Sequence, residues 1–231
     1  MFKIVSTVTF VCAVAAPASP HDAAGSDEEI VVTGGSRDYT LTHKEFAAAL
    51  KAFRKYRPSF APESELWFEV SARGRDPSLA GVQLALFDGR TRLPLPIGAN
   101  HRIRVPVVVG EDWRLIHIGR PAPIRIRPWV ISPQTSPADL RLGDLQVQCR
   151  VGWAIARQST SVVVAGMFDM VGGCASSKIG LYQELSRPIA SAMLVEGRRR
   201  VPVPTWHETA IRMPTYLKGY TPEARVHIAY R

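Results

Sequence analysis

Arginine is the residue type through which this chain could do chemistry. In "GRPAPIRIRPW", Arg125 and Arg127 stand two apart, Trp129 follows at the same spacing, and Arg120 lies a few residues upstream. On a strand, residues two apart share a face, so Arg125, Arg127 and Trp129 would line up side by side. A second group, Arg198, Arg199 and Arg200, follows Gly197 between two strand-like runs. Guanidinium forks hold carboxylates and phosphates bidentately, and an aromatic ring stacks on a sugar or a planar anion. These seven residues therefore form the candidate binding set, for an anionic glycan, a lipid headgroup or an envelope protein. The competing reading is a solvated outer sheet face whose charges keep strand edges from pairing.

Other constellations fall short of a site. The six histidines are His21, His43, His101, His117, His207 and His227. No two of them have the i, i+4 helical or i, i+2 strand spacing typical of metal ligands. His207-Glu208 opens like a zincin motif but continues "TAI" without a second histidine. "GGSRD" at 34–38 imitates a nucleophile elbow without its pattern, and "GGCASSKIG" carries Lys178 without the G-K-[ST] order of a phosphate loop. Carboxylates such as Glu65, Glu69, Asp112 or Asp144 could meet in space, but nothing singles out a pair. Sequence thus assigns no catalytic residue, cofactor or metal. A hydrolase without a local motif stays as the alternative to a binding or accessory protein.

The N-terminus speaks to compartment. Lys3, an apolar run from Ile4 to Ala16 and the small residues Ala16-Pro17-Ala18 have the layout of a secretory signal peptide, expected over residues 1–18. The run is too short to span a bilayer, and no other stretch is long and apolar enough, so no transmembrane segment is expected. Residues 19–28 read as a disordered leader. Loss of Lys3 takes the net charge from +9 to +8, a balance that attracts anionic partners. Outside the cytoplasm nucleic acid is not the expected one. Of the three cysteines, Cys12 falls in the leader, and Cys149 and Cys174 form an even pair that an exported protein would join as a disulfide. In "RLGDLQVQCRVGWAI" the apolar alternation places Cys149 on a strand.

Elements follow from periodicity. Thr42 and Glu45 have capping-box spacing, Leu41 and Phe46 staple spacing, and Phe46, Leu50 and Phe53 make one apolar stripe. The spacing predicts a helix over 43–56, ended by Pro58, with those three side chains buried. From Ser64 onward no second helix is evident, and short apolar runs recur between Gly, Pro and Asp turns. "TSVVVAG" counts among the strands. The fold class is mainly β, one or two small β-sandwiches with one N-terminal amphipathic helix. The expected division is helix plus first β-sandwich module over 29–131, a linker over 132–140, and a second β module with the disulfide over 141–231.

Two short stretches carry resemblances. "EEIVVTGG", Glu28 to Gly35, looks like the segment near the mature N-terminus of TonB-dependent receptors. It implies a Gram-negative envelope, periplasmic or secreted. A receptor barrel needs about 22 strands, more than this chain can supply. "GVQLALFDGRTRLPLPIGANHRIRVPV" resembles the transthyretin-like or carboxypeptidase-regulatory β-sandwich repeat: a strand, a turn at Asp88-Gly89, a strand, a turn at Gly98-Ala99-Asn100, and a third strand. The chain as a whole is similar to uncharacterised exported proteobacterial proteins carrying such a segment.

Overall fold

The first helix starts where its capping residues place it. In a computed structural model that describes residues 30–31, 41–72, 78–106, 110, 112–118 and 123–231, α1 runs from His43 to Phe60. The Thr42 hydroxyl accepts from the Glu45 N–H at 3.2 Å, and the Glu45 carboxylate accepts from the Thr42 N–H at 2.9 Å. Leu41, Phe46 and Leu50 are buried, whereas Phe53 is only half-buried. Pro58 does not end the helix: it sits in the last turn, where its missing N–H forfeits a single bond, and the chain leaves at Ala61. The signal peptide and leader, the "GGSRD" stretch and Arg120 lie outside the described residues.

The strands, in chain order, are β1 (Ile30–Val31), β2 (Glu65–Ala72), β3 (Leu84–Phe87), β4 (Arg92–Leu95), β5 (Arg102–Arg104), β6 (Arg114–His117), β7 (Ile124–Ile131) and β8 (Asp139–Arg141). Then follow β9 (Ile179–Gly180), β10 (Tyr182–Glu184), β11 (Ile189–Glu196), β12 (Arg199–Pro202), β13 (Thr205–Trp206), β14 (Ala210–Arg212) and β15 (Arg225–Tyr230). They form small sheets of order β5-β2-β7, β4-β3-β6, β12-β11-β15-β8 and β10-β14-β13, and β1 runs parallel to β9. The fold is mainly β and sandwich-like. Leu66, Phe68, Val70 and Ile126 from one sheet and Leu84, Leu86 and Leu115 from another enclose the first core with α1. The Asp88-Gly89 turn forms as its residues suggest: the Asp88 carboxylate accepts from the N–H groups of Arg90 and Thr91, and Gly89 takes φ 104°.

The second half departs from the all-strand expectation. Leu142–Arg157 is a helix, α2, and Val162–Met170 is another, α3. Cys149 is therefore helical. It bonds Cys174, which lies in a short 3-10 turn at Gly173–Ala175, with the two Cα atoms 6.0 Å apart. The helix α2 is wedged between two cores. Val147 and Val151 join the first, while Leu142, Leu145 and Cys149 join the second, with Phe168, Leu194, Ile211 and Val226. A cross-link over a separation of 25 residues contributes about 3 kcal/mol by loop-closure entropy.

Candidate binding surface

The outer face of β5-β2-β7 carries the first arginine group. Register pairs Trp67 with Trp129, Glu69 with Arg127 and Ser71 with Arg125, so these side chains share one face, opposite the first core. Trp129 is 3% exposed and belongs to the second core, with the Arg102 guanidinium over its ring. It is a seam residue, unavailable to a ligand. Arg125 and Arg127 are half-buried and meet carboxylates. Both approach Glu184 on β10, and Arg127 also reaches Glu69 at 3.4 Å. The second group stands on a different sheet. Arg198 and Arg200 are exposed at the hairpin joining β11 to β12; Arg199 donates to the Gly219 carbonyl at 2.6 Å and lies 4.0 Å from the Tyr220 ring centroid. Among the described residues no contact joins the two arginine groups.

Sequence reasoning missed the surface that Glu184 borders. On β10, Tyr182 and Glu184 share a face. Ala210 of β14 pairs with Glu184 on one side and Trp206 of β13 on the other. Two strand spacings put Trp206 and Glu184 about 10 Å apart, with only a methyl group between them. The Tyr182 and Trp206 rings are 5.2 Å apart and tilted by 42°, and the His207 ring meets Trp206 edge-on at 4.7 Å. Trp206 is 41% exposed. An indole left in water beside a tyrosine, two strand spacings from a carboxylate, can stack on a ring and has directed hydrogen-bonding groups near it.

Backbone strain marks the same corner. His207 and Glu208 both adopt positive φ, 45° and 59°, a left-handed conformation that non-glycine residues take at a cost. The turn is held from outside: the Glu208 carbonyl accepts from the Ile189 N–H at 2.7 Å, and its carboxylate pairs with Arg231 at 3.0 Å. The sequence signal for this corner was "PTWHETA", a tryptophan just before a turn lacking glycine.

A buried amide pair sets the two sides of the surface against each other. The Gln148 carbonyl oxygen on α2 accepts from the Val130 N–H at 3.1 Å, and its amide nitrogen donates to Gln183. Gln183 in turn donates to the Glu184 carbonyl at 2.8 Å. Thus β7, which carries Arg125 and Arg127, and β10, which carries Tyr182 and Glu184, are tied through one helix side chain. One turn earlier on α2, the Asp144 carboxylate accepts from the Ser132 N–H and hydroxyl at 2.9 and 2.6 Å. Arg141 forks onto Glu223 and bonds the Ser132 hydroxyl. Burial raises the Asp144 pKa above its ordinary value despite these bonds, and the Arg141 bond lowers that of Glu223. This network fastens Ser132 to the first turn of α2 and, through Arg141, to Glu223 just before β15.

Among the described residues no group of three or more His, Cys, Asp or Glu could hold a metal ion, and no helix is long and apolar enough to cross a membrane. No protein-family model, curated protein or solved structure matches the chain.

Proposed function

We propose that this protein is an exported accessory protein of the Gram-negative envelope that binds an anionic glycan on the surface between Trp206 and Arg127. The observation that carries the reading is the exposed Trp206 indole, tilted against the Tyr182 ring beside a strained turn, in the same sheet as a carboxylate already bound by two arginines. A sugar ring lies on the indole face. Its carboxylate competes with the half-exposed Glu184 for the Arg125 and Arg127 donors, which Glu184 and Glu69 do not all fill. The +8 balance of the exported chain raises the local concentration of an anionic polymer before docking.

The test is affinity electrophoresis and calorimetry with a polyuronate and, as the uncharged control, dextran. Trp206→Ala is expected to weaken polyuronate binding on the order of 10-fold, about 1.4 kcal/mol. Arg125→Glu with Arg127→Glu is expected to weaken it further and flatten its salt dependence. Equal binding by all three proteins overturns the reading. One observation favours a second reading, a hydrolase: Glu69 and Glu184 flank Arg127, bringing two carboxylates to one edge of the surface. Release of reducing ends from the polyuronate, lost in Glu184→Gln, would establish it.

A further inference from the structure

The helix α3 is apolar on both sides. Its inner face is already spent: Ala165 and Phe168 are buried, and the Phe168 ring stacks on Trp153 with centroids 3.9 Å apart. The outer face is apolar as well. Val162 is 88% exposed, Met170 84% and Val163 71%, with Val164 and Met167 about half exposed. Asp169, its one charged residue, is paired with Arg157 at 3.2 Å. A nine-residue helix containing three valines has little intrinsic stability in water. Here it is held by the Ser161 cap, by Phe168 and by the Cys149–Cys174 bond just beyond its end. The fold thus keeps in shape an apolar ridge that folding alone does not use, the usual mark of an interaction surface.

We propose that α3 docks on an anionic lipid bilayer, with Val162, Val163, Met167 and Met170 entering the boundary between headgroups and acyl chains. Two observations choose lipid as the occupant. First, charge is complementary: Asp169, the one anion between residues 159 and 178, is neutralised by Arg157, and Lys178 is exposed on a chain that is basic as a whole. Second, the ridge is too small for a second copy. Five side chains on one short helix fall far below the 20–30 residues a side of a stable dimer, whereas partial insertion of a few apolar residues, aided by charge, suffices for reversible lipid binding.

Cosedimentation of the full-length oxidised chain with vesicles tests this. Vesicles of phosphatidylcholine plus phosphatidylglycerol are expected to bind it, and phosphatidylcholine alone to bind it less. Val163→Asp with Met167→Asp, which leaves residues 1–29 intact, is expected to lower partitioning at least ~10-fold. Val162→Ser with Met170→Ser alters the two most exposed side chains of the ridge and serves if the first pair misfolds. A Met167→Trp variant is expected to show indole quenching by brominated lipid. Unchanged partitioning of both double variants overturns the proposal, as does a Met167→Trp indole left unquenched. A wild-type dimer that dissociates on Val163→Asp and ignores vesicles would assign the ridge to self-association and also overturn it. Trp206→Ala should leave vesicle binding unaltered, so this test and the glycan test fail independently.

Discussion

The Arg102 guanidinium lies over the Trp129 indole, its central carbon 3.7 Å from the ring centroid. Both side chains are buried, and the Arg102 Nε has no hydrogen-bond partner. Burial lowers the Arg102 pKa from its ordinary value, and the charges of Glu69 and Tyr230 act in the opposite direction. Because Tyr230 belongs to the last strand and Glu69 to the first sandwich, this stacked cation sits where the two halves of the chain meet. It fills the seam with a flat, weakly hydrated charge.

The pair predicts unequal costs. Trp129→Ala removes a ring that packs into the second core and should destabilise by about 3–5 kcal/mol. Arg102→Leu keeps much of the covering apolar stem and removes a desolvated charge, so it should stay within about 1 kcal/mol of wild type. Urea unfolding midpoints measure both. A larger loss for Arg102→Leu than for Trp129→Ala would mean that Coulomb pairing, and not packing, holds the seam.

How far the sequence was legible depends on how many sides each element buries. The helix α1 has one buried stripe, and its cap, staple and stripe could all be read; only its end ran past Pro58, whose lost bond falls in a final turn. The paired strands of the β5-β2-β7 and β4-β3-β6 sheets and the Asp88-Gly89 turn were equally plain. Not so α2. Because it is pressed between two cores, Val147 and Val151 face one way while Leu145 and Cys149 face another. Apolar residues at every second position then arise from a helix buried on two sides, and the pattern mimics a strand. In α3 the three valines argued for a strand, and what makes it a helix is tertiary: the Phe168 stack and the disulfide. The candidate surface was only partly open to sequence reading. Arg125 and Arg127 could be found by spacing, but their partner Glu184 and the neighbouring Trp206 lie some 60 to 80 residues away along the chain in another sheet, joined to them by ion pairs and the Gln148–Gln183 amide pair that no local pattern announces.

The buried network at the start of α2 predicts a split response to acid. The pKa of Glu223 is lowered from its ordinary 4.5 by its bond to Arg141, so it contributes stability above that value and loses it as pH falls through the folded value. Asp144 has the opposite sign. Its pKa is raised from 3.8 chiefly by burial, so its ionised form costs stability near neutral pH, and the cost is relieved as pH falls through the raised value. Glu223→Gln should therefore lower stability near neutrality and lose less on further acidification. Asp144→Asn removes the relief and should make the acid loss steeper. Urea midpoints of the three proteins between about pH 2 and 7 check both signs, and parallel curves would show that neither carboxylate is coupled to folding.

Two helical glycines predict opposite outcomes for the same substitution. Gly143, in the first turn of α2, is buried where α1 ends. A Cβ added there would collide with the Phe60 carbonyl oxygen and come within 3.0 Å of the Phe60 carbonyl carbon and the Pro222 Cβ. The close approach is fixed from both sides, since the Gly143 N–H donates to the Pro222 carbonyl at 2.8 Å and the Leu142 N–H to that of Ala224 at 2.8 Å. These neighbours are backbone or a proline ring and cannot swing aside, so Gly143→Ala must push α1 and α2 apart and should cost about 1–3 kcal/mol or more. Gly166, in α3, has nothing within 4 Å of the same added atom. Gly166→Ala exchanges a poor helix former for the best one on an open face, and it should stabilise by up to about 1 kcal/mol. Thermal or urea unfolding of the two variants reads the difference directly. A neutral Gly143→Ala would mean that the helices do not meet at this closest point, and a destabilising Gly166→Ala would mean that the outer face of α3 is already covered.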